Sequence, residues 1–482
     1  MAESWVDEEV GAVDLEDRRL NDRLREVLSA LGNRPTASIP AACGGHAETA
    51  AAYRLFDNAN ASFDRILAPH AEATRRRMAG RETVVLAQDT TEADLTRPER
   101  QVRGAGPLDA GPRRGMFLHV LHAFSEDGTP LGTLSATPWA RPEGGGGGAL
   151  TRRRARTLPI EQKESYRWVE TLRHAQAEAR RCPATHLICV GDSEADIYEV
   201  LAEAQSSAQN ADWIVRAGKD RVVETEGGQT KRHLREQVRR QPVLFTHTIQ
   251  VRGRKAKVAC DKRPRSQPRQ SRRATVEARA AARVLLRAPW RPGGRASPVA
   301  VNVVLVREKD PPAADEPVEW LLLTNLPVDD AAQVRDVIRF YCVRWMIEVF
   351  FRVLKCGCRV EERRFEEMER FTACLAVYLI IAWRTLYVCH LGRACPEIDC
   401  EAVFDPAEWK AVWTVTRRTP LPCTPPSLGE MTRLVAELGG YVPRKNSPPG
   451  PQTIWLGLQR THDFAHAWRA FGPDARKDSP LV

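Results

Sequence analysis

Residues 341–355 read YCVRWMIEVFFRVLK. Drawn as a helix turning about 100° per residue, Tyr341 at zero puts Arg344 at about 300°, Glu348 at about 340°, Arg352 at about 20° and Lys355 at about 320°. Those five share one face, and Val343, Met346, Ile347, Phe350, Val353 and Leu354 cluster opposite. One side therefore packs into a core. The other presents a single carboxylate among three cations and a phenol. A solvated face would also be polar, and the helix alone leaves both readings open. A lone acid between cations also suits a site where the acid ligates a hard metal ion and the cations bind phosphate oxygens.

Two other places favour the second reading. In TVVLAQDTT, Asp89 is expected to end a short buried strand, and in HLICVGDSEAD, Asp192 follows another after Gly191. Acids at neighbouring strand ends can face one cleft, where divalent metal relieves their mutual repulsion. Two such ions can activate water or a 3′-hydroxyl and stabilise the leaving oxygen of a phosphoryl transfer. Asp-Thr is also ordinary turn composition, so Asp89 gains weight only beside the other two acids.

The rest of the chain sets the context. Its 482 residues allow several domains, and a net charge of +10 favours a polyanionic partner, nucleic acid before an anionic membrane surface. The acidic N-terminus lacks a basic region followed by an apolar run and reads as no signal peptide. The most apolar stretch, 371–391, is interrupted by Arg384 and reads as a buried core helix with no membrane role. Twelve cysteines form no CxxC pair or zinc-finger spacing, which implies a reducing compartment, hence the cytoplasm. Cys189, Cys342, Cys374 and Cys389 lie in apolar runs and read as small core residues.

Helical periodicity marks residues 1–70 as a small α-helical unit. From 80 onward strands and helices mix, with a hairpin expected over MFLHVLHAFSEDGTPLGTLSATPW, its turn at Asp127-Gly128. Residues 141–157 read as a flexible basic loop. Between 251 and 291 fourteen Lys or Arg face two acids, which suits either a solvated surface or contact with a phosphate backbone. His119 and His122 read as packing residues, and Trp455 and Trp468 as packing or subunit interface.

The Tyr341, Arg344, Glu348 and Lys355 spacing, Y-x2-R-x3-E-x6-K, resembles the signature of DDE transposases of the insertion-sequence-four family, in particular the transposon-five (Tn-five) type. DTT at 89–91 and GDSEADIYE at 191–199 look like that family's first and second acid motifs, with Ser193 in place of the usual Arg. KESYRW at 163–168, SIPAACGG, AAYRLFDN and the C-terminal LGGYVPRKNSPPGPQTIWLGLQRTHDFAHAW are also similar to family sequence. The resemblance implies an α/β fold. It comprises an α-helical DNA-binding domain at 1–70, an RNase H-like catalytic core at 71–385 with a β-rich insertion at about 219–320, and an α-helical dimerisation domain at 386–482.

By the same resemblance Asp89, Asp192 and Glu348 are the catalytic, metal-binding acids. Tyr341, Arg344 and Lys355 hold phosphates of the transposon end, with Arg352 where relatives often have Lys. Trp320 would stack a flipped base, Trp345 is a second aromatic nearby, and Arg216 and Arg54 are further DNA contacts. Phe351 replaces a His of close relatives. Two Mg²⁺ ions per site are implied, with Mn²⁺ as a substitute. The implied function is cut-and-paste transposition: nicking of double-stranded transposon ends, hairpin formation and joining to target DNA by a homodimer, in a nucleoid-associated cytoplasmic protein without a membrane partner. Two other readings stay open: a catalytically inactive relative that inhibits transposition by binding ends, and a metal-dependent nuclease that does not join strands.

Overall fold

A computed structural model describes residues 5–473 except 98, 100, 110, 144–157, 207–210, 225–231, 252–268, 292–293, 314, 316 and 444–447. Most of the basic loop expected at 141–157 and much of the basic run at 251–291 lie outside the described residues.

The N-terminal unit is helical: α1 (Trp5–Val10), α2 (Arg18–Asn33), α3 (Ile39–Cys43), α4 (His46–Phe56) and α5 (Phe63–Met78). Asp17 caps α2 by accepting the Arg19 N–H, and Leu24, Val27, Leu28 and Leu31 form its buried stripe at helical spacing. Ser62 caps α5, which runs on through Pro69 and ends in Arg75, Arg76 and Arg77. The boundary expected at 70 thus falls inside one continuous helix. That helix packs on both the N-terminal unit and the core, and α1 is tied to it by Glu9 and Arg77 at 2.6 Å.

The core is built on β1 (Thr83–Asp94), β2 (Arg114–Ser125), β3 (Pro130–Trp139), β4 (His186–Gly191) and β5 (Ala211–Arg216). Further along come β6 (Phe245–Val251), β7 (Arg272–Leu286), β8 (Val299–Glu308) and β9 (Glu319–Thr324). These nine lie in the order β3-β2-β1-β4-β5-β9-β8-β7-β6 within one 12-stranded sheet. β1, β4 and β5 are parallel and every other pair of the nine is antiparallel. The hairpin of β2 and β3 forms as expected, with Gly128 at φ 85° in its turn. The strands from β6 to β9 make the β-rich region and continue the same sheet through β5 and β9.

Apolar side chains cover both faces, as a largely parallel sheet centre requires. On one face Val85, Ala87, Ile188 and Val190 pack with helices from 331 onward, and on the other Leu86, Leu187 and Cys189 pack with α6 (Tyr166–Arg181) and α7 (Tyr198–Ser206). A short helix, α8 (Leu234–Arg239), leans on β7 and β8.

The stretch from 331 to 357 is less regular than one ideal helix. α9 (Ala331–Val343) and α10 (Trp345–Arg352) meet at Arg344, and Val353–Gly357 widens into a π turn closed by Cys358 N–H to the Val353 carbonyl at 2.8 Å. Tyr341 and Arg344 are buried, so the polar face is no simple solvated stripe. Cys342, expected in a core, is exposed, because it lies on the outward side of the last turn of α9.

α11 (Met368–Ala394) spans 27 residues and is long and apolar enough to cross a membrane by length and composition, but 83% of its apolar window is buried inside the protein. Arg384 donates to the Val403 carbonyl at 2.8 Å. The boundary expected at 385 falls within this helix. Beyond it α12 (Pro406–Arg417), α13 (Leu428–Leu438) and α14 (Pro451–Phe471) pack together. His119 and His122 are buried as packing residues, and so is Trp455, against Gly357.

Candidate active site

β1 and β4 run parallel with Ala87 opposite Val190, so two residues further the same register sets Asp89 beside Asp192. Asp89 does not end its strand, contrary to the sequence reading. β4 stops at Gly191, whereas on the other side β2 goes on pairing with β1 from Asp89↔Val120 to Asp94↔Gly115. Asp89 therefore sits where β1 loses one neighbour and keeps the other, and its carboxylate gains a cleft without losing a rigid backbone.

Asp192 caps the turn Ser193–Ala195 and accepts the Glu194 N–H at 2.7 Å. Asp89 accepts the N–H of Thr90 on Oδ1 at 2.7 Å. Glu348 arrives from the first turn of α10. Between the acids lies Arg344, which donates from Nη1 to Asp89 Oδ2 at 3.2 Å and from Nη2 to Glu348 Oε1 at 2.6 Å. The Asp89 carboxyl is pushed up to about 7, first by burial and then by the charge of Asp192; Arg344 opposes this and Glu348 adds to it. Asp89 thus feels both other acids from a largely buried position.

Around them stand other residues singled out in the sequence. The Tyr341 ring meets Trp320 edge-on, centroids 5.9 Å apart, and the Arg344 guanidinium lies 5.8 Å from the Tyr341 ring. Burial raises the Tyr341 phenol against the opposing charges of Arg344 and Arg216. Asp89, Asp192, Glu348, Arg344, Tyr341, Trp320 and Arg216 therefore form one constellation. Trp345 and Arg352 are exposed on α10, and Lys355 lies in the π turn, two turns beyond Glu348. Arg54 is exposed in the last turn of α4. Among the described residues no hydrogen bond or ion pair ties these four to the acids.

A neighbouring cleft of about 470 Å³ went unread in the sequence. It is lined by Thr90, Thr91, Phe117, Trp139, Arg141 and Glu164, among others. Arg141, Phe117, Trp139 and Arg167 stack in that order, at 4.1, 5.3 and 3.4 Å. Glu164 ties the stack together by accepting from Arg141 and from Trp139 Nε1. The alternation of β2 and β3 places Phe117 opposite Trp139, and that register was the available signal.

Among the described residues no group of three or more acidic, His or Cys side chains converges closely enough to hold a metal ion. The donors nevertheless fit a divalent ion. They are hard carboxylate oxygens, burial and the neighbouring acids make the charged form of Asp89 unfavourable, and a cationic guanidinium already stands between Asp89 and Glu348.

Residues 2–61 match the family described as Transposase DNA-binding, residues 164–383 match Transposase DDE domain, and residues 380–472 match Transposase Tn5 dimerisation domain. The chain belongs to the Tn5-type DDE transposases. Of this transposase's three acids, Asp192 and Glu348 fall within the DDE match and Asp89 lies before it. The three matches follow the chain order of helical unit, sheet-bearing core and C-terminal helices. Among solved structures, a cryo-EM structure of the piggyBac transposase synaptic complex with hairpin DNA is similar at 7% identity and a TM-score of 0.34, and this chain spans 58% of that chain while 86% of its own length is covered. A likeness that low carries no argument.

Proposed function

We propose that this chain is a cut-and-paste DNA transposase, with Asp89, Asp192 and Glu348 as its catalytic, metal-holding acids. The observation that carries the reading is that Asp89 on β1 lies beside Asp192, just past the end of the adjacent parallel β4, and near Glu348 of α10, with one buried guanidinium bonded to Asp89 and Glu348. The strand order β3-β2-β1-β4-β5, with the first three antiparallel and β1, β4 and β5 parallel, supports an RNase H-like core. Bound Mg²⁺, two ions per site with Mn²⁺ as a substitute, would supply polarisation of the attacking hydroxyl and stabilisation of the leaving oxygen.

The chain's own residues do the rest. Arg344, Arg216, Arg352, Lys355 and Tyr341 would grip phosphates of the transposon end and fix the scissile bond over the acids. Trp320 and Trp345 would flank a base swung out while the freed 3′-hydroxyl attacks the opposite strand to close a hairpin. The N-terminal helices, with Arg54, would hold the terminal repeat. The C-terminal helices would join two protomers across two ends. The protein would act on DNA in the cytoplasm.

The test is incubation of purified protein with DNA from both flanks of its gene and Mg²⁺ or Mn²⁺, beside an Asp192→Ala control. Hairpin-ended and joined products, absent from the control, are the expected result. Tight end binding without cleavage in either metal would point to an inactive, inhibitory relative. Cleavage without hairpins or joining would point to a nuclease.

A further inference from the structure

Arg344 occupies a place that a metal ion needs. Its guanidinium donates to one oxygen of Asp89 and one of Glu348, and the other Asp89 oxygen is taken by the Thr90 N–H. A divalent ion can take those oxygens only against the repulsion of a fixed positive charge a few ångströms away, in a site of low effective dielectric. The Arg344 side chain is 10% exposed, so water screens that charge poorly.

The same guanidinium is incompletely satisfied. Its Nε is buried and has no hydrogen-bond partner among the described residues. A guanidinium carries five N–H donors in a planar fork suited to phosphate. Arg216, exposed at the end of β5 and close enough to oppose the rise of the Tyr341 phenol, brings a second cation to the same mouth. A DNA phosphate there would offer Arg344 a bidentate partner and compete with the two carboxylates.

We infer that Arg344 is the built-in counter-cation of the acids in the free protein, and that a DNA phosphate, by drawing its guanidinium away, opens Asp89 and Glu348 to divalent metal. Arg344 is then a positioning residue that couples DNA binding to metal binding. The inference rests on the reading of these acids as metal ligands. By linkage the coupling is reciprocal: whatever factor DNA adds to metal affinity, metal adds to DNA affinity.

The test is Mn²⁺ titration followed by electron paramagnetic resonance, on the full chain alone and with a duplex carrying the flanking inverted repeat. Ca²⁺ replaces Mn²⁺ for the DNA titrations by fluorescence anisotropy, to keep the duplex intact. Wild type alone should bind Mn²⁺ weakly, and the duplex should tighten binding at least tenfold. Arg344→Gln should bind Mn²⁺ at least tenfold tighter than wild type without DNA, and gain little from the duplex. Arg344→Lys, which keeps the charge and loses the fork, should fall between. The wild-type comparison with and without duplex needs no variant to fold. If the duplex leaves wild-type affinity unchanged, or Arg344→Gln binds no tighter, the inference is overturned. Asp192→Ala separates the two failures: if it lowers Mn²⁺ affinity, the acids are ligands and the counter-cation idea alone has failed. If it does not, the reading of the site fails with it.

Discussion

His70 Nδ1 lies 2.5 Å from Glu9 Oε2, and both side chains are shut away from solvent. The backbone N–H of Thr133 donates to His70 Nε2 at 3.1 Å, so the ring is neutral, with its proton on Nδ1 facing Glu9. Arg77 donates to Glu9 Oε1 at 2.6 Å and lies over the Trp383 ring at 4.1 Å. α1, α5, β3 and α11 thus share one buried polar knot. Glu9→Ala would leave the His70 N–H without an acceptor and Arg77 without its ion-pair partner, though Arg77 keeps its bond to the Leu131 carbonyl, and should cost about 3–5 kcal/mol, read by urea unfolding. Glu9→Gln, which can still accept, should cost less; equal losses would mean that the knot contributes only by filling space.

Acid should destabilise this protein early. Burial lowers His70, takes His119 down to about 3, and lowers His122 well below the ordinary histidine value. A histidine whose folded pKa is depressed leaves stability untouched above its unfolded value of about 6.5 and removes it as pH falls below that. Each histidine that stays neutral should cost on the order of 1 kcal/mol by one pH unit below that value. Tm should therefore fall between pH 7.5 and 5.5, and His119→Gln should fall less. Asp89, raised to about 7, works the other way over this range, so the His119→Gln comparison decides: equal falls in wild type and variant would contradict the burial of that ring.

Asp89→Asn should separate function from stability. The change removes a carboxylate crowded by Asp192 and Glu348 and leaves Arg344 its bond to Glu348. On the proposed function, strand cleavage should drop by a factor of about 10³ or more, because a proposed metal ligand is removed. Tm in EDTA should rise by about 1–3 °C. A fall in Tm would mean that the Arg344 bond outweighs the repulsion.

Trp320→Ala should impair hairpin formation more than the first nick. The indole offers a face beside Tyr341, and base stacking on an aromatic is worth about 1–3 kcal/mol. Roughly a tenfold to hundredfold loss of hairpin product is expected on sequencing gels. Equal loss of nicking would assign Trp320 to the core instead.

Gly457 lets α13 and α14 cross at contact. A Cβ built there would lie 1.7 Å from the backbone carbonyl oxygen of Val435, which no rotamer can relieve. Gly457→Ala should pry the two helices apart. Faster proteolysis confined to residues beyond 394, and loss of the DNA-bound dimer in sedimentation, are the expected readouts.

That Asp89, Asp192 and Glu348 come near one another was legible in the sequence because their motifs are local: each lies in a short run whose neighbours single it out. The Asp127-Gly128 turn was legible for the same reason. The length of β1 was not, because it depends on β2 continuing after β4 has stopped, a matter of two distant partners. Nor was the burial of Arg344, since helical spacing fixes a face but not what covers it. The ideal wheel also assumes one unbroken helix, and the break at Arg344 and the π turn before Cys358 change its phase. The hairpin register pairs Phe117 with Trp139, but Arg141 joins the stack from beyond β3 and Arg167 from α6, a juxtaposition that the folded chain supplies.

α5 carries one further implication. It is a single helix shared by the N-terminal unit and the sheet, clasped to α1 at one side and to β3 and α11 at the other. On the proposed function, a duplex gripped by the first helices would be held at a set reach from Asp89, as between the jaws of a caliper. Where the cut falls relative to the recognised sequence becomes a property of the protein's frame. Each residue added to α5 would lengthen that reach by about 1.5 Å and rotate one jaw by about 100°.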